Sequence, residues 1–140
     1  MEVELLDQRA SRGDATRQAL MRAAERLFAE KGGNNVTIRE IVETAGQKNE
    51  SALQYHFKNL EGLIAATHRY RSDQIVEVRS RCLDELAIHP ELPELRDLAR
   101  VMVHPAFELA GKHADFRRYV RGFSWSLSAS DLPRTRSVRR

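Results

Sequence analysis

Three observations predict an all-α fold. The 140-residue chain holds only 7 Gly and 4 Pro and is rich in Leu, Ala, Arg and Glu, residues that lose little on entering a helix. Apolar residues recur at three- and four-residue spacing along most of its length. No segment sustains the alternation of a half-buried strand, and no internal repeat is evident.

The elements follow in order. Residues 1–13 are expected to form a flexible, mixed-charge arm, with Asp14 as the cap of a first helix over Thr16 to Glu30. Leu20, Ala24, Leu27 and Phe28 give that helix one apolar stripe, and Gly32 and Gly33 end it. Thr37 and Glu40 have the spacing of a capping box for a short second helix, whose Ile38, Ile41, Val42 and Ala45 share a face. Gly46 breaks it, and after a turn through Gln47 and Lys48 a third helix is expected over Asn49 to Phe57. Asn59 caps a long fourth helix to about Ala87, and His89-Pro90 and Pro93 interrupt the chain. Further helices are expected over about Glu94 to Leu109 and His113 to Leu127, with a basic tail over 128–140.

Bulk charge does not locate a partner. The chain has a net charge of +3 and a pI of 9.3, yet residues 1–60 carry nine basic and nine acidic side chains. The excess lies in residues 117–140, with seven arginines and one aspartate. A solvated tail is the expectation for Arg134, Arg136, Arg139 and Arg140. No apolar run approaches the ~20 residues that span a bilayer. The opening MEVELLDQ is acidic where a signal peptide is basic, and the lone Cys82 cannot form an internal bridge, so a cytoplasmic protein is expected.

Two short helices joined by a tight glycine-containing turn have the pattern of a helix-turn-helix. DNA recognition needs an apolar underside that fixes the second helix and a polar face that enters the major groove. Residues 37–57 supply both. Gln54 suits the N6/N7 edge of adenine, and Asn49 and Ser51 are placed to reach base edges. Lys48, Tyr55, His56 and Lys58 flank them as phosphate contacts, although His56 is equally suited to bonding the backbone. Thr37, Arg39 and the first amides of the second and fourth helices are expected to anchor the DNA backbone, and Gln47 in the turn belongs to the same surface. Glu50 is expected to face solvent, while Leu53 and Phe57 form the underside.

Here the sequence resembles a known family. The runs TIREIVETAG over Thr37–Gly46 and SALQYHFKNLEGL over Ser51–Leu63 resemble the N-terminal region of TetR-type regulators. AAERLFAEKG over Ala23–Gly32 is similar to the helix that precedes it, so the resemblance covers about residues 14–70. It implies a DNA-binding domain over 14–58, followed by a helical effector and dimerisation region over 59–127. It also implies homodimers on a palindromic double-stranded operator and a ligand-responsive repressor of transcription. The turn Gln47-Lys48-Asn49-Glu50 is one residue longer than the common family pattern, which shifts the base-contact positions by one. Family members also continue beyond this length, into two final helices that build the dimer. The expectation for this chain alone is a monomer or weak dimer with an incomplete effector region. The alternative is an interaction module that pairs with a full-length relative without productive DNA binding.

Other chemistry finds little support. No phosphate loop, nucleophile motif or zinc-hydrolase pair is present, so no enzyme and no cofactor are expected. His56, His68, His89, His104 and His113 lack ligand spacing, and His89 and His104, each before a proline, are placed near helix ends. Cys82 is expected to be a small core hydrophobe. A small-molecule effector, apolar or cationic, would sit between the fourth and later helices. Thr67, Met102, Phe107, Phe116 and Trp125 could line such a pocket but are expected to be plain core.

Overall fold

A computed structural model describes residues 2–89 and 91–130, and over them the chain is helical. The order is α1 (Glu2–Lys31), a 3-10 turn (Gly33–Asn35), α2 (Ile38–Thr44), α3 (Ser51–Phe57), α4 (Leu60–Ala87), α5 (Leu95–Lys112) and α6 (Ala114–Ser130).

Local signals placed most boundaries. Gly32 leaves α1 at φ 81° and Gly46 leaves α2 at φ 72°, positions that a β-carbon disfavours. The Thr37–Glu40 capping box is formed in both directions, satisfying the amides of Thr37 and Glu40. Asn59 Oδ1 accepts from the Gly62 amide at 2.8 Å and starts α4, which ends at Ala87 as expected.

Four boundaries differ from the sequence expectation. The segment taken as a flexible arm, residues 1–13, is helical from Glu2, and Asp14 lies inside α1 rather than capping it. Residues 2–12 contain no Gly or Pro, and extending an existing helix avoids the cost of nucleating one. The third helix begins at Ser51, not Asn49, because Asn49 Oδ1 accepts from the Ser51 amide at 3.0 Å in a local turn. α5 runs through Pro105 to Lys112, so His104 sits inside the helix and not at its end. Val101, Pro105 and Leu109 are all buried at four-residue spacing, and that burial offsets the ~3 kcal/mol a helix-interior proline costs. α6 reaches Ser130, and the arginines expected in the tail beyond it lie outside the described residues.

One apolar core joins all six helices. Leu20, Ala24, Leu27 and Phe28 of α1 pack with Ile41, Val42, Leu53, Phe57 and Leu63 on one side. On the other they meet Phe116, Tyr119 and Phe123 of α6. Phe28 and Phe123 stack edge to face with centroids 5.0 Å apart. Gly122 permits this approach, since a β-carbon there would lie 2.8 Å from the Ala29 amide nitrogen. Thr67 and Phe116 are core as expected, and Cys82 packs partly buried against it. Met102 and Phe107 are not core: they stand 63% and 72% exposed on the outer side of α5, beside Leu95, Leu98 and Val103. The side chain of Trp125 lies outside the described residues.

A charged cluster crosses this core. Arg71 of α4 is 2% exposed, and its guanidinium takes both oxygens of Glu25 on α1 at 2.7 Å. It also reaches Gln74 at 2.8 Å and Asp115 of α6 at 3.0 Å. Burial pushes Glu25 above the ordinary carboxylate value despite the pull of Arg71. At Asp115 burial is outweighed by hydrogen bonds and charge from Arg71, and the pKa falls. Arg71 itself is held protonated by the two acids. The cluster ties α1, α4 and α6 together at one point.

Candidate nucleic-acid interface

The surface formed by α2, the turn and α3 rests on two buried side chains. Leu53 is 1% and Phe57 6% exposed, and they seat α3 against α1 and α4. Helical spacing then turns Ser51, Gln54, Tyr55 and Lys58 outward together. Tyr55 is 84% exposed, an unusual amount for an aromatic ring. Its ring meets that of the half-buried His56 edge to face, with centroids 5.0 Å apart. The side chains of Lys48, Ser51, Gln54 and Lys58 are exposed and make no hydrogen bond or ion pair among the described residues. These four and Tyr55 form a compact polar face.

The remaining candidates are partly engaged. Asn49 is exposed, but its Oδ1 is taken by Ser51, leaving its amide as a donor only. Gln47 is half-buried, and its side chain donates to Ala45 O at 3.5 Å. Thr37 commits both its amide and its hydroxyl to Glu40, each at 2.9 Å. Arg39 pairs with Glu43 at 2.8 Å on the open surface, an exchangeable contact. Lys31 donates to Glu40, and with Thr37 this lowers the Glu40 pKa to about 2. Glu50 is exposed and caps nothing with its side chain.

Two residues that position α3 were not assigned a role from the sequence. Arg17 of α1 donates to His56 O at 3.4 Å and lays its guanidinium 4.7 Å from the centre of the Phe57 ring. It thereby meets a carbonyl in the last turn of α3, which lacks a partner inside the helix. The pairing spans 39 positions and leaves no local signal. Gly62 is the second: a β-carbon would lie 1.9 Å from Phe57 O, so the α3–α4 junction excludes any other residue without movement. Between them Lys58 adopts φ 71°, the left-handed conformation that ends α3.

Residues 20–67 match the bacterial regulatory proteins of the tetR family. Over that stretch the chain is similar to the TetR family. An 80-residue stretch is 32% identical to the HTH-type transcriptional repressor AcnR of Corynebacterium diphtheriae, covering 54% of this chain and 42% of that protein. The crystal structure of a TetR family transcription regulator from Marinobacter aquaeolei VT8 superposes with a TM-score of 0.60 at 26% identity. That match covers 83% of this chain and 57% of the other, so the likeness continues beyond the TetR-type region into the later helices. The chain thus spans roughly half the length of these relatives.

Beyond the TetR-type region, a cleft of about 660 Å³ opens where α4 ends and α5 begins. Cys82, Leu86, Glu91, Glu94, Arg100 and His104 are among its lining residues. Thr67, Met102, Phe107 and Phe116, the lining candidates among the described side chains, are not part of it. Among the described residues no group of His, Cys, Asp and Glu is placed to hold a metal ion, and no helix is long and apolar enough to cross a membrane.

Proposed function

We propose that this chain is a sequence-specific DNA-binding regulator of transcription, acting as a repressor and working in the cytoplasm. The observation that carries the reading is the outward polar face of α3. Its donors and acceptors are left unpaired while Leu53 and Phe57 hold the helix rigidly. Exposed serine, glutamine and lysine are ordinarily met by water, but a tyrosine 84% exposed among them is unusual, and duplex DNA supplies phosphates and base edges that such a face can meet. Gln54, Ser51 and the Asn49 amide read bases. Lys48, Tyr55, His56 and Lys58 hold phosphates, Arg39 can leave Glu43 for one, and Gln47 shapes the turn. Thr37 supports α2 more than it supports DNA. The names of both relatives, a repressor and a transcription regulator, favour the same reading.

Two finer points belong to it. Homodimers would read a palindromic operator, two half-sites being held together at high effective concentration. A small-molecule effector would control release, with the α4–α5 cleft as the available site. DNase footprinting on the DNA flanking the gene tests the main reading: a protected palindrome is expected, and uniform cleavage at saturating protein would overturn it. The exposed Leu95, Leu98, Met102, Val103 and Phe107 of α5 favour a second reading, an interaction module that pairs with a relative. Recovery of a protein partner together with a blank footprint would select that one.

A further inference from the structure

We infer that the DNA interface has a limb on α1, in which Arg12 binds the phosphate backbone beside the groove entered by α3. The inference rests on the DNA-binding reading above and adds a contact that neither the helix-turn-helix pattern nor the family match over residues 20–67 includes.

The placement comes from the end of α3. His56 is the penultimate residue of that helix, and its ring Cε1 lies 3.9 Å from the β-carbon position at Gly13. Gly13 therefore lies against a side chain that is itself in contact with the outward ring of Tyr55. One turn further on, Arg17 holds the same place through His56 O and the Phe57 ring. α1 does not stop where it meets α3. It continues from Gly13 back to Glu2, about 16 Å of additional helix at 1.5 Å per residue. The chain expected to be a loose arm is instead a rod fixed to the flank of the recognition helix.

Charge decides which side of that rod can meet DNA. Residues two apart on a helix point about 200° apart, so Arg12 and Asp14 leave opposite sides of Gly13. Arg12 is exposed and forms no ion pair or hydrogen bond among the described residues. Asp14 is exposed on the other side, where it does not neutralise the arginine. Arg17, by contrast, is half-buried and engaged, so it positions α3 and is not the phosphate contact. Each DNA strand presents a phosphate every ~3.4 Å along the axis, so a duplex engaged by Tyr55 and Lys58 continues past the end of α3 toward Gly13. The exposed guanidinium there takes a phosphate in two parallel hydrogen bonds.

The test is a salt series of fluorescence-anisotropy titrations with the full chain, on the footprinted operator and on a random duplex. Arg12→Ala is expected to weaken both duplexes by the same factor and to lower the slope of log affinity against log salt by about one unit. Arg12→Lys restores most of the slope, since the charge remains, and Asp14→Asn leaves it within error. An unchanged slope for Arg12→Ala, with the wild type still selective for its operator, overturns the α1 limb and leaves the DNA-binding reading intact. A loss confined to the operator would make Arg12 a base contact and overturn the phosphate assignment. A wild type that binds neither duplex overturns both readings together.

Discussion

At Arg71 all three guanidinium nitrogens are paired, to Glu25, Gln74 and Asp115, with Arg71 and Glu25 themselves buried. On α3 the polar groups of Ser51, Gln54 and Lys58 are unpaired and open to water. The two regions use similar chemistry toward opposite ends. Polar groups that satisfy one another inside the protein fix the relative placement of α1, α4 and α6. Polar groups denied partners by the fold keep their bonding capacity for something that arrives later. Stability should therefore reside in the first region and recognition in the second.

Substitution at Arg71 has the largest expected effect. Arg71→Met leaves Glu25 buried without its partner, and urea denaturation should show a loss of about 3–5 kcal/mol. Adding Glu25→Leu should recover much of it, because the uncompensated charge is gone. If Arg71→Met alone is neutral, the buried cluster does not hold the helices together. Gly62→Ala comes next. The methyl group must displace the Phe57 carbonyl at the α3–α4 junction, and a loss of about 1–3 kcal/mol in thermal unfolding is expected from such overpacking.

The open face should respond in reverse. Gln54→Ala is expected to leave unfolding within ~0.5 kcal/mol of wild type, as surface changes do. It should also change the preferred operator by about 1–3 kcal/mol at one base position. Lys58→Ala should weaken cognate and random duplexes alike and lower the salt slope by about one. Alanine suffers the same left-handed strain as lysine at φ 71°, so this variant isolates the charge. Equal loss on both duplexes for Gln54→Ala would show that α3 does not read bases.

The smallest effect is that of pH on α2. Glu40 is held at about 2, below the ordinary 4.5, by hydrogen bonds from Lys31 and Thr37. A depressed carboxylate contributes stability that is fully present above its unfolded value and is lost as pH falls through the folded one. Chemical denaturation between pH 4.5 and 2 should therefore weaken more steeply in the wild type than in Glu40→Gln. Parallel curves would remove the capping box from the stability of this region. Asp115 shifts in the same direction but is common to both proteins.

What could be read from the sequence was governed by distance along the chain. The Thr37–Glu40 box and the Asn59 cap involve partners three residues apart, and glycines 32 and 46 act through their own backbone. These signals placed α2, the start of α4 and the turns. The outward set on α3 followed from helical spacing alone. Arg17, Arg71 and Gly122 depend on partners tens of residues away, so nothing beside them in the sequence marks their roles. Asn49 was misplaced because a side chain that favours helix starts also closes local turns. His104 was placed near a helix end because a proline reads as a breaker until its burial is known, whereas α5 runs through Pro105 and on past Leu109 to Lys112. Exposed Met102 and Phe107 show the converse, since apolar spacing marks a face without showing what lies against it.

The approach of α6 to α1 at Gly122 bears on protein engineering. Regulators of two-part construction invite hybrids, in which the DNA-reading part of one protein is joined to the sensing part of another. Here the graft line would not fall between α3 and α4, because α1 carries the footprint of the later helices: Phe28 against Phe123 of α6, Glu25 against Arg71 of α4, and the backbone at Ala29 against Gly122 of α6. A foreign C-terminal part with a larger residue at the crossing would push α1 outward and carry Arg17 and α3 with it. A working hybrid must take this seam of α1 from the same parent as α6, leaving the outer side of α1 and the α2–α3 unit as the exchangeable part.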